Sequence, residues 1–214
     1  MRRHSFAIGE YYHIYNHGVE TRNIFDEPDD TDRFLQSMQF FNTIKPIGSL
    51  YEFSFEKKGA PSKSQWLVEL IAYCLNPNHF HIIFKELRHG GISELMKRIG
   101  IGYTLYFNTK NKRKGALFRG RFKSKHISDN DYLLHTSAYV NLNNRVHQLG
   151  DPISKLVQSS WDEYVTGQKG RCGKSVILGQ FTKPKDYEKF ALESLELSLE
   201  RKQEDKEYKA LMFD

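Results

Sequence analysis

Apolar and aromatic positions along the chain gather in short runs divided by polar turns. Leu67-Val68-Glu69-Leu70-Ile71-Ala72-Tyr73-Cys74-Leu75 is almost wholly apolar and rich in β-branched and aromatic residues, which is the pattern of a buried strand. The apolar pattern resumes at Phe80-His81-Ile82-Ile83-Phe84, after Asn76-Pro77-Asn78. That turn chemistry predicts a β-hairpin or two strands joined by a very short loop. Tyr11-Tyr12-His13-Ile14-Tyr15-Asn16 predicts a short aromatic strand ended by a bend at Gly18. Leu50 to Glu56 alternates cleanly and predicts a strand whose place in a sheet stays open. Phe122 to Ile127 predicts the last strand of the sheet.

Steps of three and four residues mark the helices. Phe34, Leu35, Met38, Phe41 and Ile44 predict a helix from Asp29 to Thr43, capped by Asp29 or Asp30 and ended by Pro46 and Gly48. Ile92, Leu95, Met96, Ile99, Tyr103, Tyr106 and Phe107 predict a second from Ile92 to Asn108. Gly100 and Gly102 interrupt it and would let another backbone approach. Ser128 with Asp131 resembles a capping box for a third helix that runs to about Asn143. Strand, helix, strands, helix, strand, helix predicts an α+β ferredoxin-like sandwich with an antiparallel sheet. One face would carry helices, and the other would be open or partly closed by the Asp129 to Asn143 helix. Residues 1–148 form the expected catalytic domain. Residues 149–214 form an accessory extension, with a capping box at Ser160 to Glu163 and a docked helix from Pro184 to about Lys209.

Composition narrows this picture only a little. A chain of 214 residues with 39% hydrophobic residues can build one domain and an accessory piece. Cys74 and Cys172 make no disulfide framework, so a reducing, cytoplasmic setting is expected. The first residues lack a signal-peptide pattern, and no apolar run is long enough to predict a membrane span. The net charge of +6 says less than its distribution. Lys110, Lys112, Arg113, Lys114, Arg119, Arg121, Lys123 and Lys125 follow one another with no acidic residue between them. Such a segment can track a polyanion, and Phe118 and Phe122 within it can stack on unpaired bases or serve the core. If Phe122, Ser124 and His126 face one way on the strand, Arg121, Lys123 and Lys125 face the other.

Candidate chemistry begins at His79-Phe80-His81. On a strand the two imidazoles share a face with Ile83, while Phe80, Ile82 and Phe84 point oppositely. Two such rings can converge on one divalent metal or one phosphate, although the same spacing also occurs in half-buried strands that bind nothing. His13 shares a face with Tyr11 and Tyr15 and can either approach the pair or simply pack. On the third helix Tyr132, Thr136, Tyr139 and Asn143 form one polar stripe. Asn143 can add an amide oxygen to the histidines. Tyr139, one turn earlier, can bring a phenol beside the same ion, or else be an ordinary packing tyrosine.

Four stretches taken together resemble the IS200-like transposases, a family of HUH endonucleases, and especially their REP-associated branch. They are Tyr12-His13-Ile14-Tyr15-Asn16-His17-Gly18, the Leu75 to Phe84 segment, Gly115-Ala116-Leu117-Phe118-Arg119-Gly120-Arg121-Phe122-Lys123-Ser124, and Tyr139-Val140-Asn141-Leu142-Asn143. The resemblance implies His79, His81 and Asn143 as ligands of Mg²⁺ or Mn²⁺, and Tyr139 as the nucleophile. It implies cleavage of single-stranded DNA beside a hairpin or palindromic repeat, leaving a 5′-phosphotyrosine and a free 3′-OH, with strand transfer by the reverse attack. Arg119, Arg121, Lys123, Lys125, Lys112, Arg113, Lys114 and His13 are the expected DNA contacts. A homodimer is the usual assembly, and monomers occur. Where relatives often read Asn-Pro-Val-Arg-Ala, this chain reads Asn143-Asn144-Arg145-Val146-His147, so the helix should end differently and Asn143 should shift. A DNA-binding or regulatory protein of the same fold that no longer cuts, and a metal nuclease that uses water on RNA or DNA, are the competing readings. An ordinary metallohydrolase would give Tyr139 and the basic segment no role.

Overall fold

The computed structural model describes residues 5–50, 59, 61–146 and 156–212. Most of the strand expected at Leu50 to Glu56 lies outside them. Strands β1 (Tyr11–His17), β2 (Val68–Asn76), β3 (His79–Glu86), β4 (Lys123–Ile127) and β5 (Gln158–Ser159) form one antiparallel sheet in the order β4-β1-β3-β2-β5. Helices α1 (Pro28–Phe40) and α2 (Gly91–Lys110) follow β1 and β3. Helix α3 (Asn130–Asn141) follows β4, and α4 (Asn143–Val146) comes directly after it. Beyond β5 lie α5 (Trp161–Val165), α6 (Ser175–Leu178) and α7 (Pro184–Met212). The architecture is α+β with a helical C-terminal extension.

The hairpin forms where the turn residues place it, with only Pro77 and Asn78 between β2 and β3. Its tip is clasped by the chain that leaves β1. The Pro77 carbonyl accepts from the N–H groups of Ile24 and Phe25 at 2.7 and 3.0 Å, and the Asn78 carbonyl accepts from Gly18 at 2.8 Å. Gly18 has a steric reason to be glycine, because a Cβ there would stand 2.1 Å from the Arg22 carbonyl oxygen. Alternation along β3 sorts the side chains as expected. Phe80, Ile82 and Phe84 enter a core with Phe34, Ile99 and Tyr103 of α1 and α2. Ile83 enters a second core, with Leu133 and Val140 of α3 and Tyr187 of α7.

That second core decides the far face of the sheet. It is covered by α3 together with the C-terminal extension, so helices lie on both sides. The Tyr187 hydroxyl accepts from Asn141 Nδ2 at 2.8 Å and lies 3.1 Å from Ser137 Oγ. Ser160 Oγ donates to Asn141 Oδ1 at 2.5 Å and accepts from the Tyr73 N–H at 2.9 Å. Ser160 therefore ties α3 to β2 and does not cap α5 as its capping-box pattern suggests.

Two helix starts also differ from the sequence expectation. Glu27 and Asp30 form the capping box of α1, with Pro28 in its first turn, and Asp129 caps α3 by accepting from Tyr132 N at 2.8 Å. Ser128 donates to that aspartate at 2.8 Å instead of capping. Helix α2 begins against Glu86, which is fully buried and accepts from Gly91 N at 2.9 Å and Ile92 N at 2.8 Å. A carboxylate at a helix N-terminus satisfies donors that the helix itself leaves open. Within α2, a Cβ at Gly102 would meet the Phe41 ring at 3.0 Å, so a ring and not another backbone makes the close approach.

Glu86→Ala would leave two buried N–H groups without an acceptor. It should lower the unfolding free energy by about 2 kcal/mol or more, measured as a lower urea midpoint at unchanged slope.

Candidate active site

The register between β1 and β3 brings the histidines together. Tyr15 stands opposite His81 and His17 opposite His79. Directly opposed residues of an antiparallel pair share a face, and these rings stack. His17 and His79 lie 4.9 Å apart between centroids, and Tyr15 and His81 lie 5.7 Å apart. On the other side of β1, Lys123 pairs with Tyr15 and Lys125 with His13. One sheet face therefore brings His13, His17, His79 and His81 together with Tyr15, Lys123 and Lys125.

Helix α3 crosses this face and supplies Tyr139. Its ring stands edge-on to His81 at 5.6 Å and to His13 at 6.1 Å. Helical geometry then breaks at Leu142 (φ −107°, ψ 15°) and restarts at Asn143. The expected single helix to about Asn143 is thus two pieces. Asn143 nevertheless arrives fully buried beside the hairpin, with its Oδ1 3.1 Å from His79 Nε2.

The hydrogen bonds around His79 set its proton. Nδ1 lies 2.6 Å from Asn78 Oδ1, an acceptor, so the ring carries its hydrogen there and turns the Nε2 lone pair inward. Nε2 and Asn143 Oδ1 are then two acceptors facing each other. Asn76 Nδ2 bridges them, at 3.0 Å from the first and 2.7 Å from the second. Asn143 Nδ2 is buried and has no hydrogen-bond partner. The 3.1 Å separation suits adjacent ligands of an octahedral cation, since bonds of about 2.1 Å at right angles put such ligands about 3 Å apart. Among the described residues no group of three or more His, Cys, Asp or Glu side chains is placed to hold a metal ion. Beside the facing pair of His79 Nε2 and Asn143 Oδ1, the His81 ring stands 5.3 Å from that of His79 between centroids.

His81 is braced by His13, whose Nε2 lies 2.8 Å from His81 Nδ1. Burial, aided by Lys125, pushes the His13 pKa down to about 4, so the neutral ring can accept a proton that His81 Nδ1 shares. With His81 Nδ1 as the donor, its Nε2 lone pair is left for a ligand, in the manner of an outer partner that orients a metal-binding imidazole. Burial also lowers the His17 pKa, with help from Lys123 and Arg119. It raises that of Tyr139, which the neighbouring Asn143 amide partly offsets. A cleft of about 560 Å³ opens over these groups. Tyr15, Lys125, His135 and Tyr139 line it, and Ser198 of α7 adds to its wall.

His79, His81, Asn143, Tyr139, His13, Lys123 and Lys125 therefore converge, and Arg119 acts electrostatically on His17 from the β4 side. The remaining basic residues go elsewhere. Arg121 lines a different cavity, on the α1 and α2 side. Arg113 donates to Asn108 Oδ1 and to the Ala116 carbonyl, which ties down the loop after α2. Lys112 adopts φ +50° just beyond α2, and Lys114 is exposed on the same loop. Asn76 and Asn78 were legible only as turn residues, yet both bond His79. His17 was missed, although alternation with His13 and Tyr15 is the signal that could have found it.

A family model for transposase IS200 like matches residues 52–143. Over that segment, less than half of its length, the chain is similar to the IS200-like transposases. The match spans the hairpin, α2, β4 and α3, and its last position is Asn143. β1 and the C-terminal extension lie outside it. Among solved structures, a REP-associated tyrosine transposase bound to a REP hairpin aligns over 79% of this chain and 88% of its own, at 14% identity and a TM-score of 0.49. No curated protein matches. No helix among the described residues is long and apolar enough to cross a membrane.

The His13 ring should stay neutral until about pH 4, as an NMR titration of its ring carbons would record. Its folded pKa lies below the ordinary 6.5. The associated stability is therefore present above pH 6.5 and is lost as pH falls towards 4, by about 3 kcal/mol.

Proposed function

We propose that the chain is a metal-dependent single-stranded DNA endonuclease and strand transferase whose nucleophile is Tyr139. The observation that carries this reading is the pair of facing acceptors, His79 Nε2 and Asn143 Oδ1, one helical turn beyond a phenol that abuts His81. His79, His81 and Asn143 would hold Mg²⁺ or Mn²⁺. When bound, the ion supplies charge neutralisation at phosphate oxygens.

The protein's own groups do the rest. Lys123 and Lys125 hold the phosphates of the incoming strand over the cleft. Tyr139 packs against His81 and His13, which restricts where its hydroxyl can point. Attack forms the Tyr139 Oη–P bond and breaks the P–O3′ bond. The phenol proton passes to water in the cleft, and the product is a 5′-phosphotyrosine with a free 3′-OH. Attack by a 3′-OH on the phosphotyrosine reverses these bonds and joins strands. A phenol raised above its ordinary pKa is a reluctant nucleophile at neutral pH, so the adduct should form faster as pH rises.

Hairpin-bearing single strands are the substrate this reading favours. His79, His81, Asn143 and Tyr139 of one chain lie close together, which supports a site assembled in cis. The order β-α-β-β-α-β with strands in sequence 4-1-3-2 supports a ferredoxin-like sandwich as its frame. One observation favours a DNA-binding protein that does not cut. Asn76 Nδ2 already satisfies both His79 Nε2 and Asn143 Oδ1. Turning that amide over presents Oδ1 to the same point and adds a donor for the cation.

Incubation with Mn²⁺ and a hairpin-bearing single strand should yield a denaturation-resistant adduct. Tyr139→Phe should abolish it, and Asn143→Ala should weaken Mn²⁺ binding by about ten-fold or more, read by calorimetry. An adduct of wild-type yield on Tyr139→Phe would refute the assignment. Loss of Mn²⁺ affinity only on substituting other residues would refute the ligand set.

A further inference from the structure

A second cavity, of about 750 Å³, opens on the α1 and α2 side of the sheet. That volume falls in the range of about 300–1,000 Å³ typical of small-ligand sites. Phe118 and Phe122, both half-buried, offer aromatic surface in its lining, and Phe34 and Phe80 are fully buried in its wall, where the Phe80 and Phe118 rings meet edge to face at 6.0 Å. Among the described residues its lining holds Lys97 and Arg121 and no carboxylate. Asn16, held by a 3.2 Å bond to the Gly120 carbonyl, adds a polar edge.

Gly100 gives this cavity a second independent sign of purpose. It sits inside α2, where glycine is the poorest residue short of proline, and it lines the cavity. A Cβ built there meets nothing within 4 Å, unlike Gly102, whose Cβ would strike Phe41. Packing does not require glycine at position 100. What its missing side chain does is leave the space open. Ile101, next to it on the rim, is 64% exposed.

One short segment of chain runs from the cavity to the strand beside the cleft. Arg121 lines the cavity, while two residues on Lys123 enters β4, whose lysines stand on the Tyr139 face. β4 is an edge strand, so a polyanion can pass around it with cations on both sides. We infer that the cavity takes an unpaired nucleobase of the single strand whose backbone follows Arg121, Lys123 and Lys125, its ring stacked on the phenylalanines. This deepens the nuclease reading and rests on it for the path of the strand. Charge selects the occupant: an apolar pocket bordered by cations without carboxylates suits a base attached to phosphate.

The test fills the space. Gly100→Leu places a side chain in the cavity at a site with no neighbour to displace and replaces a poor helix former with a good one. Wild type should bind oligothymidylate about ten-fold or more tighter than an abasic strand of equal length, measured by fluorescence anisotropy. Gly100→Leu should bind both strands equally, at the abasic level. In wild type, a 5-iodouracil strand should photocrosslink within the Phe118 to Phe122 peptide.

Wild-type preference for bases in a Gly100→Leu protein that melts normally would overturn the proposal, as would crosslinks confined to the Tyr139 cleft. A change in oligomeric state on Gly100→Leu with base preference intact would also overturn it, by assigning the face to a second copy of the chain. If Gly100→Leu does not fold, the crosslinked peptide decides. The nuclease reading is judged separately. An adduct on Tyr139 with no effect of Gly100→Leu refutes only the base pocket, and a filled pocket that abolishes base preference without any Tyr139 adduct refutes only the nuclease.

Discussion

The pairing of β1 against β3 in a single register is the constraint on which the rest depends. It places Tyr15 on His81 and His17 on His79, and through β1 it delivers the β4 lysines to the same face. The polar residues do not choose this register. Phe80, Ile82 and Phe84 must face α1 and α2 to leave water, and alternation then turns His79 and His81 the other way. A slip of one residue would exchange the two sets and bury the imidazoles among phenylalanines. The clasp on Pro77 and Asn78 fixes the hairpin tip against the chain leaving β1, so the ring nearest the turn is held from both ends.

Two buried polar networks meet at α3, and they differ in kind. Asn141, Tyr187, Ser160 and the Tyr73 backbone satisfy one another, which is what a buried structural network requires. This network fastens the last turn of α3 to the C-terminal extension and to β2. Two residues to either side, Tyr139 and Asn143 point into surroundings that are not satisfied in the same way. Oxygen faces nitrogen as acceptor to acceptor across 3.1 Å, and the Asn143 amide nitrogen has no partner. The first network is complete, whereas in the second Asn76 Nδ2 bridges the two acceptors and the Asn143 amide nitrogen is left over. Under the proposed function, rigidity matters because a nucleophile gains from being held where attack occurs.

The hairpin, the α1 and α2 stripes and the face shared by His79 and His81 were legible because each follows from local periodicity and turn chemistry. Details that depend on competition between neighbours were not. Ser128 and Ser160 both have the chemistry of a helix cap, but Asp129 takes the first role and Asn141 recruits the second serine into the core. The basic segment looked continuous, yet its residues divide between two faces of the sheet and an internal loop brace. Side chains two apart share a face only within a strand, and β4 begins at Lys123, leaving Arg121 on the preceding loop.

The amino-acid sequence by itself determined the alternation that segregates imidazoles from phenylalanines, and the i, i+4 spacing of Tyr139 and Asn143. Both are periodicities of the backbone and need no partner element. Only the tertiary structure decided that Asn143 meets His79 despite the break at Leu142, that His13 braces His81, and that Asn76 stands between the two candidate ligands. Those contacts join β1, the hairpin and the α3–α4 junction across long stretches of chain. Their distances depend on how helices pack against a sheet, which no local pattern encodes.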